Sequence, residues 1–195
     1  MSTCTPTRFW AILVSTLMLT ACGTNPPVID YDQGANFAAY KSYAFISDKP
    51  LMLGEGATGS SPLLEGRLMR ATDTALRAKG FSKVSNPEAA DFAVRFTVGA
   101  RDKIRVNSYP EPYRPYYGGW GWGGSYYAGA TSTDVQQYTE GKLAIDIYDV
   151  AEHKPVWHGV ATARITDSMR QNPDETVTNA VTEILMSFPP GMLAK

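Results

Sequence analysis

Lys142-Leu143-Ala144-Ile145-Asp146-Ile147-Tyr148 and, after a gap of seven residues, Val156-Trp157-His158-Gly159-Val160-Ala161-Thr162-Ala163-Arg164-Ile165 are the runs on which the fold turns. Leu143, Ile145 and Ile147 alternate with Lys142, Ala144, Asp146 and Tyr148, the period of a half-buried strand. A turn through Ala151-Glu152-His153-Lys154 brings the second run back as its partner. Four to five residues suit an antiparallel hairpin and are far too few for a crossover.

Working outward from this hairpin, Phe92, Val94, Phe96 and Val98 alternate with Ala93, Arg95 and Thr97 and predict a further strand. Gly99-Ala100 is expected to break its register before Ile104 and Val106 continue a more polar pairing. Thr131 to Tyr138, Phe81 to Val84, Tyr40 to Ile46 and Val28 to Tyr31 are the other strand candidates. Residues 47 to 61 read as loop. A helix is expected after them, with Ser61 as cap, Pro62 at its first position and Gly80 as stop. Its apolar stripe is Leu64, Leu68, Ala71 and Ala75. A closing helix is expected from Asn172 and Pro173, with Glu175 in capping-box position. Val177, Ala180, Val181, Ile184, Leu185 and Phe188 form its buried face, and Pro189-Pro190 ends it. These elements predict an α+β fold, an antiparallel sheet with two amphipathic helices packed on one face.

The amino terminus has its own logic. Arg8 precedes an apolar run from Phe9 to Leu19, which is too short to span about 30 Å of hydrocarbon as a helix. The run closes in Leu19-Thr20-Ala21-Cys22, which resembles a lipobox. That resemblance implies a signal peptide over residues 1–21, cleavage after Ala21, and lipidation of Cys22 with palmitate-type acyl chains. Several chains on one residue anchor stably where one chain does not. Gly23, by resemblance to the Gram-negative sorting rule, implies the outer membrane and a periplasm-facing domain. Residues 22–27 read as a small, polar, proline-bearing tether, and 28–195 as a single domain.

Removing residues 1–21 takes away one basic side chain and leaves 17 basic against 19 acidic, a net charge of −2. That balance, with no basic cluster, argues against a nucleic-acid partner. The chain has two cysteines, Cys4 in the leader and Cys22 at the lipid. The folded domain therefore holds no thiol, which excludes a disulfide, a cysteine nucleophile and a thiolate metal site.

Other residues resemble a known family. Lys41-Ser42-Tyr43-Ala44-Phe45 is similar to its Tyr-Lys-Thr-Tyr-Ala-Trp strand, Lys79-Gly80-Phe81 to its Lys-Gly-Tyr helix stop, and Ala90-Asp91-Phe92-Ala93-Val94 to its Pro-Asp-Phe strand opening. Residues 141–159, ending in Trp157-His158-Gly159, resemble its paired strands ending in Trp-Arg-Gly. Phe188-Pro189 matches its helix terminus. The family is the DUF4136 group of bacterial envelope lipoproteins, and the resemblance covers roughly residues 28 to 190. It implies location and fold; the family's activity is undefined.

Tyr109 to Tyr127 is the most unusual stretch, with six tyrosines, Trp120, Trp122, five glycines and three prolines in nineteen residues. No period organises it, and a loop of this length in a small domain is functional or structureless. Tyr113, Tyr116, Tyr117, Trp120 and Trp122 are the candidate partner contacts. Tyr and Trp suit an envelope protein or a cell-wall glycan. A passive flap and contact with a membrane surface are the competing readings.

Chemistry is otherwise sparse. His153 and His158, beside Asp149 and Glu152, form no ligand spacing, so no metal is expected. No nucleophile elbow or phosphate-cradling motif occurs, and no cofactor is implied. Asp146 and Asp149 lie three apart on a strand and should face opposite sides. The expectation is a non-enzymatic, lipid-anchored envelope module. The alternative is an envelope hydrolase using His158 with a nearby carboxylate.

Overall fold

A computed structural model of the chain describes residues 25–57, 59–110 and 131–191. They form an α+β sandwich: a seven-stranded sheet with helices on one face. The strands are β1 (Val28–Tyr31), β2 (Ser42–Phe45), β3 (Leu51–Leu53), β4 (Ser82–Lys83), β5 (Phe92–Pro110), β6 (Thr131–Asp149) and β7 (Lys154–Arg164). The helices are α1 (Leu64–Ala78), α2 (Asp167–Gln171) and α3 (Pro173–Leu185).

The expected hairpin is the centre of the sheet. β6 pairs antiparallel with β7 across the turn at 150–153, with Ile147 opposite Trp157 and Ile145 opposite Gly159. β1 adds antiparallel to the outside of β7, and β5 pairs antiparallel with β6. The far edge departs from the all-antiparallel expectation. β2 lies parallel to β5 over Phe92–Val94, β3 parallel to β5 over Phe96–Val98, and β4 parallel to β2. The connection through α1 reverses the chain once more than a hairpin would, so β4 returns in the same direction as β2. The sheet is mixed, mostly antiparallel.

Side chains on one face of this sheet meet the helices. Tyr43, Phe45, Phe92, Val94, Phe96, Ile145, Ile147 and Trp157 are buried against Leu68, Ala71 and Leu76 of α1 and Val177, Val181, Ile184 and Leu185 of α3. Phe188 closes the core, its ring 5.3 Å from Phe92 and 5.4 Å from Trp157.

Four local expectations are corrected. Residues 47–61 are not all loop, since Leu51–Leu53 forms β3. Helix α1 starts at Leu64 rather than Pro62: Ser61 Oγ accepts from Leu63 N–H in a turn and caps no helix. The capping box at Asn172 does not form, because Asn172 Nδ2 donates to the Ser168 carbonyl and so ends the unforeseen α2. Thr166 caps α2 instead, its hydroxyl accepting from Met169 N–H. Finally, Gly99-Ala100 does not break β5, whose register against β6 runs unbroken from Phe92 to Pro110. Those small residues mark a close approach. Ala100 N–H donates to the Glu55 carbonyl, and a Cβ on Gly56 (φ +70°) would stand 1.9 Å from the Ala100 carbonyl oxygen.

Candidate functional site: a projecting ribbon

The length of β5 and β6 is the feature that sets this domain apart. Each has 19 residues, where strands in globular domains usually run 3–10. Only their inner halves belong to the layered body. β7 leaves β6 at Glu140, opposite Arg164, and the last β3 partner of β5 is Val98. Ile165 N–H still reaches the Thr139 carbonyl, and from the Lys103–Tyr138 pair to the Pro110–Thr131 pair the two strands have, among the described residues, only each other. At about 3.4 Å per residue, these eight pairs make a ribbon roughly 27 Å long.

Charged groups fasten its base. Arg101 Nη2 lies 3.0 Å and Lys103 Nζ 2.6 Å from the two Glu140 carboxylate oxygens. Thr139 Oγ1 donates to Asp102 at 2.8 Å. The Lys103 hydrogen bond is the main cause that holds the Glu140 carboxyl below its usual value; Arg101 adds to it against a smaller opposing effect of desolvation. Further out the two faces differ. Ile104, Val106 and Val135 continue, by strand alternation, the side that carries Phe96 and Val98, yet they are 68%, 58% and 59% exposed. Val106 and Val135 are cross-strand partners, so the three make one patch. The opposite side carries Lys103, Arg105 and Gln136.

The ribbon ends at Pro110 and Thr131, so it carries the aromatic stretch. Tyr113, Tyr116, Tyr117, Trp120 and Trp122 lie outside the described residues, as do Ala21 and Cys22. The strand ends do define where both segments leave the body. β1 runs antiparallel to β7, with Val28 opposite Val160, so the chain before Val28 departs from the ribbon's end of the sheet. At that same end a cleft of about 780 Å³ opens between sheet and helices. Leu64, Leu68, Val98, Leu143, Ile165 and Met169 line it, and Asn25 lies at its rim.

The open face of the sheet holds the other polar cluster. Arg95, Asp146, His158 and Asp30 are successive partners on β5, β6, β7 and β1. His158 Nδ1 lies 2.6 Å from Asp146 Oδ1, and Arg95 Nη2 lies 3.4 Å from Asp146 Oδ2. The Arg95 guanidinium also stacks 4.8 Å over the Tyr148 ring, and its Nε is buried without a partner. His158 is half exposed and does not line the cleft; among the described residues no hydroxyl donates to it. Asp149 belongs to the other side, accepting from Tyr40 at 2.7 Å. His153 sits in the exposed turn at φ 53°. Among the described residues no three His, Cys, Asp or Glu side chains converge on a metal-sized site, and no helix is long and apolar enough to cross a membrane.

The sequence motifs acquire structural causes here. Asp91 takes the N–H groups of Lys41 and Ser42, each at 2.8 Å, and the Ser42 hydroxyl at 2.9 Å, which fixes the start of β2 beside that of β5. Gly80 adopts φ +92°, the left-handed turn that stops α1 and sends Phe81 into the core. The ribbon itself is half visible in the sequence: both of its strands are candidates there, but their pairing across an unpatterned stretch gives no local signal.

Fold and site together define an α+β domain with one projecting hairpin. The chain belongs to the DUF4136 family, a domain of unknown function, whose model matches residues 27–190. It is similar in structure to a DUF4136 family protein from Bacteroides thetaiotaomicron, with 16% identity, a TM-score of 0.51, and coverage of 84% of this chain and 95% of that one. A PDZ domain protein from Parabacteroides distasonis matches at 16% identity and TM-score 0.48, over 85% of this chain and 35% of that longer one. The PelC dodecamer from Paraburkholderia phytofirmans matches at 12% identity and TM-score 0.43, over 82% and 94%. These likenesses concern the fold. No curated protein matches the sequence.

Proposed function

We propose that this protein is a non-enzymatic, lipid-anchored module of the Gram-negative envelope, held by Cys22 to the outer membrane and facing the periplasm. It acts by contact, its ribbon presenting the Tyr113–Trp122 segment to an envelope protein or the cell-wall glycan. The observation that carries this reading is the ribbon: eight residue pairs outside the layered body, leading to the most aromatic stretch of the chain. The lipobox-like Leu19-Thr20-Ala21-Cys22 supports the anchor.

In-cell photo-crosslinking with probes at Tyr117 and Trp120, and a control probe at Glu183 on α3, tests the contact. A specific adduct at the ribbon tip alone supports it. Adducts at neither place, at normal protein levels, remove it. Metabolic labelling with an alkynyl fatty acid tests the anchor, with loss of label expected in Cys22→Ser.

The 2.6 Å contact between His158 and Asp146 favours one second reading, an envelope hydrolase built on that pair. Its weakness is the half-exposed histidine, which does not line the cleft between sheet and helices. Unchanged growth and envelope composition in His158→Gln cells remove it.

A further inference from the structure

We propose that the ribbon lies on the lipid surface that holds Cys22, with Ile104, Val106 and Val135 turned into the headgroup region. This rests on the anchor reading given above. Three observations point the same way.

The first is direction. The chain before Val28 and the ribbon leave the same end of the sheet. The second is reach. Six residues separate Cys22 from Val28 and span at most roughly 20 Å when fully extended. Val28 stands level with Val160, Ala144 and Thr97 across the sheet. A taut tether therefore brings Cys22 no further than about the level of Lys103. Seven more residues of β5 lie beyond that level, about 24 Å of ribbon. Where the body stands with this end toward the bilayer, the ribbon outreaches the tether, so that it enters the bilayer or the body tips and the ribbon lies along it.

The third is the pattern of the ribbon itself. Beyond the body both its edges carry unpaired backbone N–H and C=O groups. A lone hairpin with open edges is not accommodated in hydrocarbon, where nothing satisfies those groups. At headgroup depth water reaches the edges, and a two-faced element is suited to that depth, as amphipathic interfacial helices are. The lipid face carries the exposed Ile104, Val106 and Val135 beside Gln137, the cross-strand partner of Ile104, and the water face carries Lys103, Arg105, Gln136 and Tyr138.

The test uses the full-length lipidated protein in vesicles of phosphatidylethanolamine and phosphatidylglycerol. Single cysteines at 103, 104, 105, 106, 135 and 136 carry an environment-sensitive fluorophore; Cys22 is consumed by lipid, so each variant has one free thiol. Emission rises several-fold with a blue shift at Ile104→Cys, Val106→Cys and Val135→Cys, and stays water-like at Lys103→Cys, Arg105→Cys and Gln136→Cys. Five of these positions are exposed and Lys103 is part-buried beside Glu140, and near-ultraviolet circular dichroism confirms an unchanged core in each. Water-like emission at all six in vesicle-bound protein overturns the proposal while leaving the anchor intact. A response at 104, 106 and 135 that vanishes when the lipid-to-protein ratio is raised tenfold overturns it in favour of a second copy of the chain. Absence of acyl groups at Cys22 by mass spectrometry is instead the failure of the anchor reading, and this inference falls with it.

Discussion

Gly159 lies directly against two buried core side chains, and adding a single methyl group there tests the account of the packing. A Cβ at this position would lie 2.3 Å from Trp157 Cη2, 2.6 Å from Ile184 Cγ2 and 2.9 Å from Trp157 Cζ3. Carbon atoms in contact settle at about 3.5–4.0 Å. Something must move by about 1 Å, and neither neighbour has room: Trp157 is 1% and Ile184 0% exposed. Trp157 folds back along its own strand over the residue two positions on, and is held there by Phe188. The Trp-x-Gly spacing therefore has a steric cause, with the glycine serving as the seat of the indole.

Overpacking of this kind costs about 1–3 kcal/mol, and this rigid site belongs at the top of that range. Replacing a strand glycine by alanine recovers about 0.5–1 kcal/mol of backbone entropy. Gly159→Ala should then destabilise by about 2 kcal/mol, which lowers Tm by roughly 4–8 °C in a domain of 150–250 residues. Thermal unfolding followed by circular dichroism measures it. In a Trp157→Leu background the same methyl group should be nearly harmless, because its nearest obstacle is gone. Coupling between neighbours of this kind amounts to about 0.5–3 kcal/mol. If Gly159→Ala costs as much in the Trp157→Leu background as beside the native indole, the seat argument is wrong.

Three further outcomes follow from named contacts. Phe188→Ala removes a ring that meets Phe37, Phe81, Phe92 and Trp157, so urea titration should show a loss of about 3–5 kcal/mol. Burial pushes the Asp91 carboxyl up, but the Lys41 and Ser42 hydrogen bonds outweigh it and hold it below the usual value. Its stabilisation is therefore present above the unfolded value of about 3.9 and lost as pH falls through the lower folded value; Asp91→Ala should flatten the acid limb of the stability–pH curve, and an unchanged limb refutes the assignment. Excising residues 101–140 and joining Ala100 to Gly141, which are cross-strand partners, through Asn-Gly should leave the fold intact within about 1 kcal/mol, roughly 2–4 °C in Tm. A collapse of the near-ultraviolet spectrum in that variant would make the ribbon part of the body.

The centre of the sheet is legible in the sequence because it obeys one rule. Leu143, Ile145 and Ile147 each place a side chain against the helices, and a strand with one buried face writes that fact at period two. The face of α3 is legible for the same reason at period 3.6. What escapes is structure made by backbone alone. Met52 and Leu53 of β3 are about half exposed, so no apolar pattern marks a strand held by its parallel ladder to β5. Cap residues mislead where two compete. Asn172 and Thr166 both stand before a helix start, and which helix each serves depends on α2, whose five residues carry no face of their own. Of the candidate site, Ile104, Val106 and Thr131–Tyr138 are readable as strand. Their partnership is not, because it spans twenty unpatterned residues.

The ribbon's energetics bear on what it is for. A two-stranded hairpin alone in water is marginally stable at best, and this one keeps Ile104, Val106 and Val135 in solvent instead of burying them in the body. Its attachment is a continuation of β5 and β6, fastened at the base by Glu140 with Arg101 and Lys103. It adds nothing to the core cluster, none of whose members lies beyond Val98 on β5 or before Leu143 on β6. An element that extends the body's two longest strands without packing against the core leaves its side chains open to a surface outside the body, which is the role proposed for it. The tether to Cys22 leaves the sheet at the same end as the ribbon and its tip. That end is where contact must be sought: if excision of residues 101–140 abolishes function in a protein that still folds and still carries its lipid, reach rather than stability is what the long strands provide.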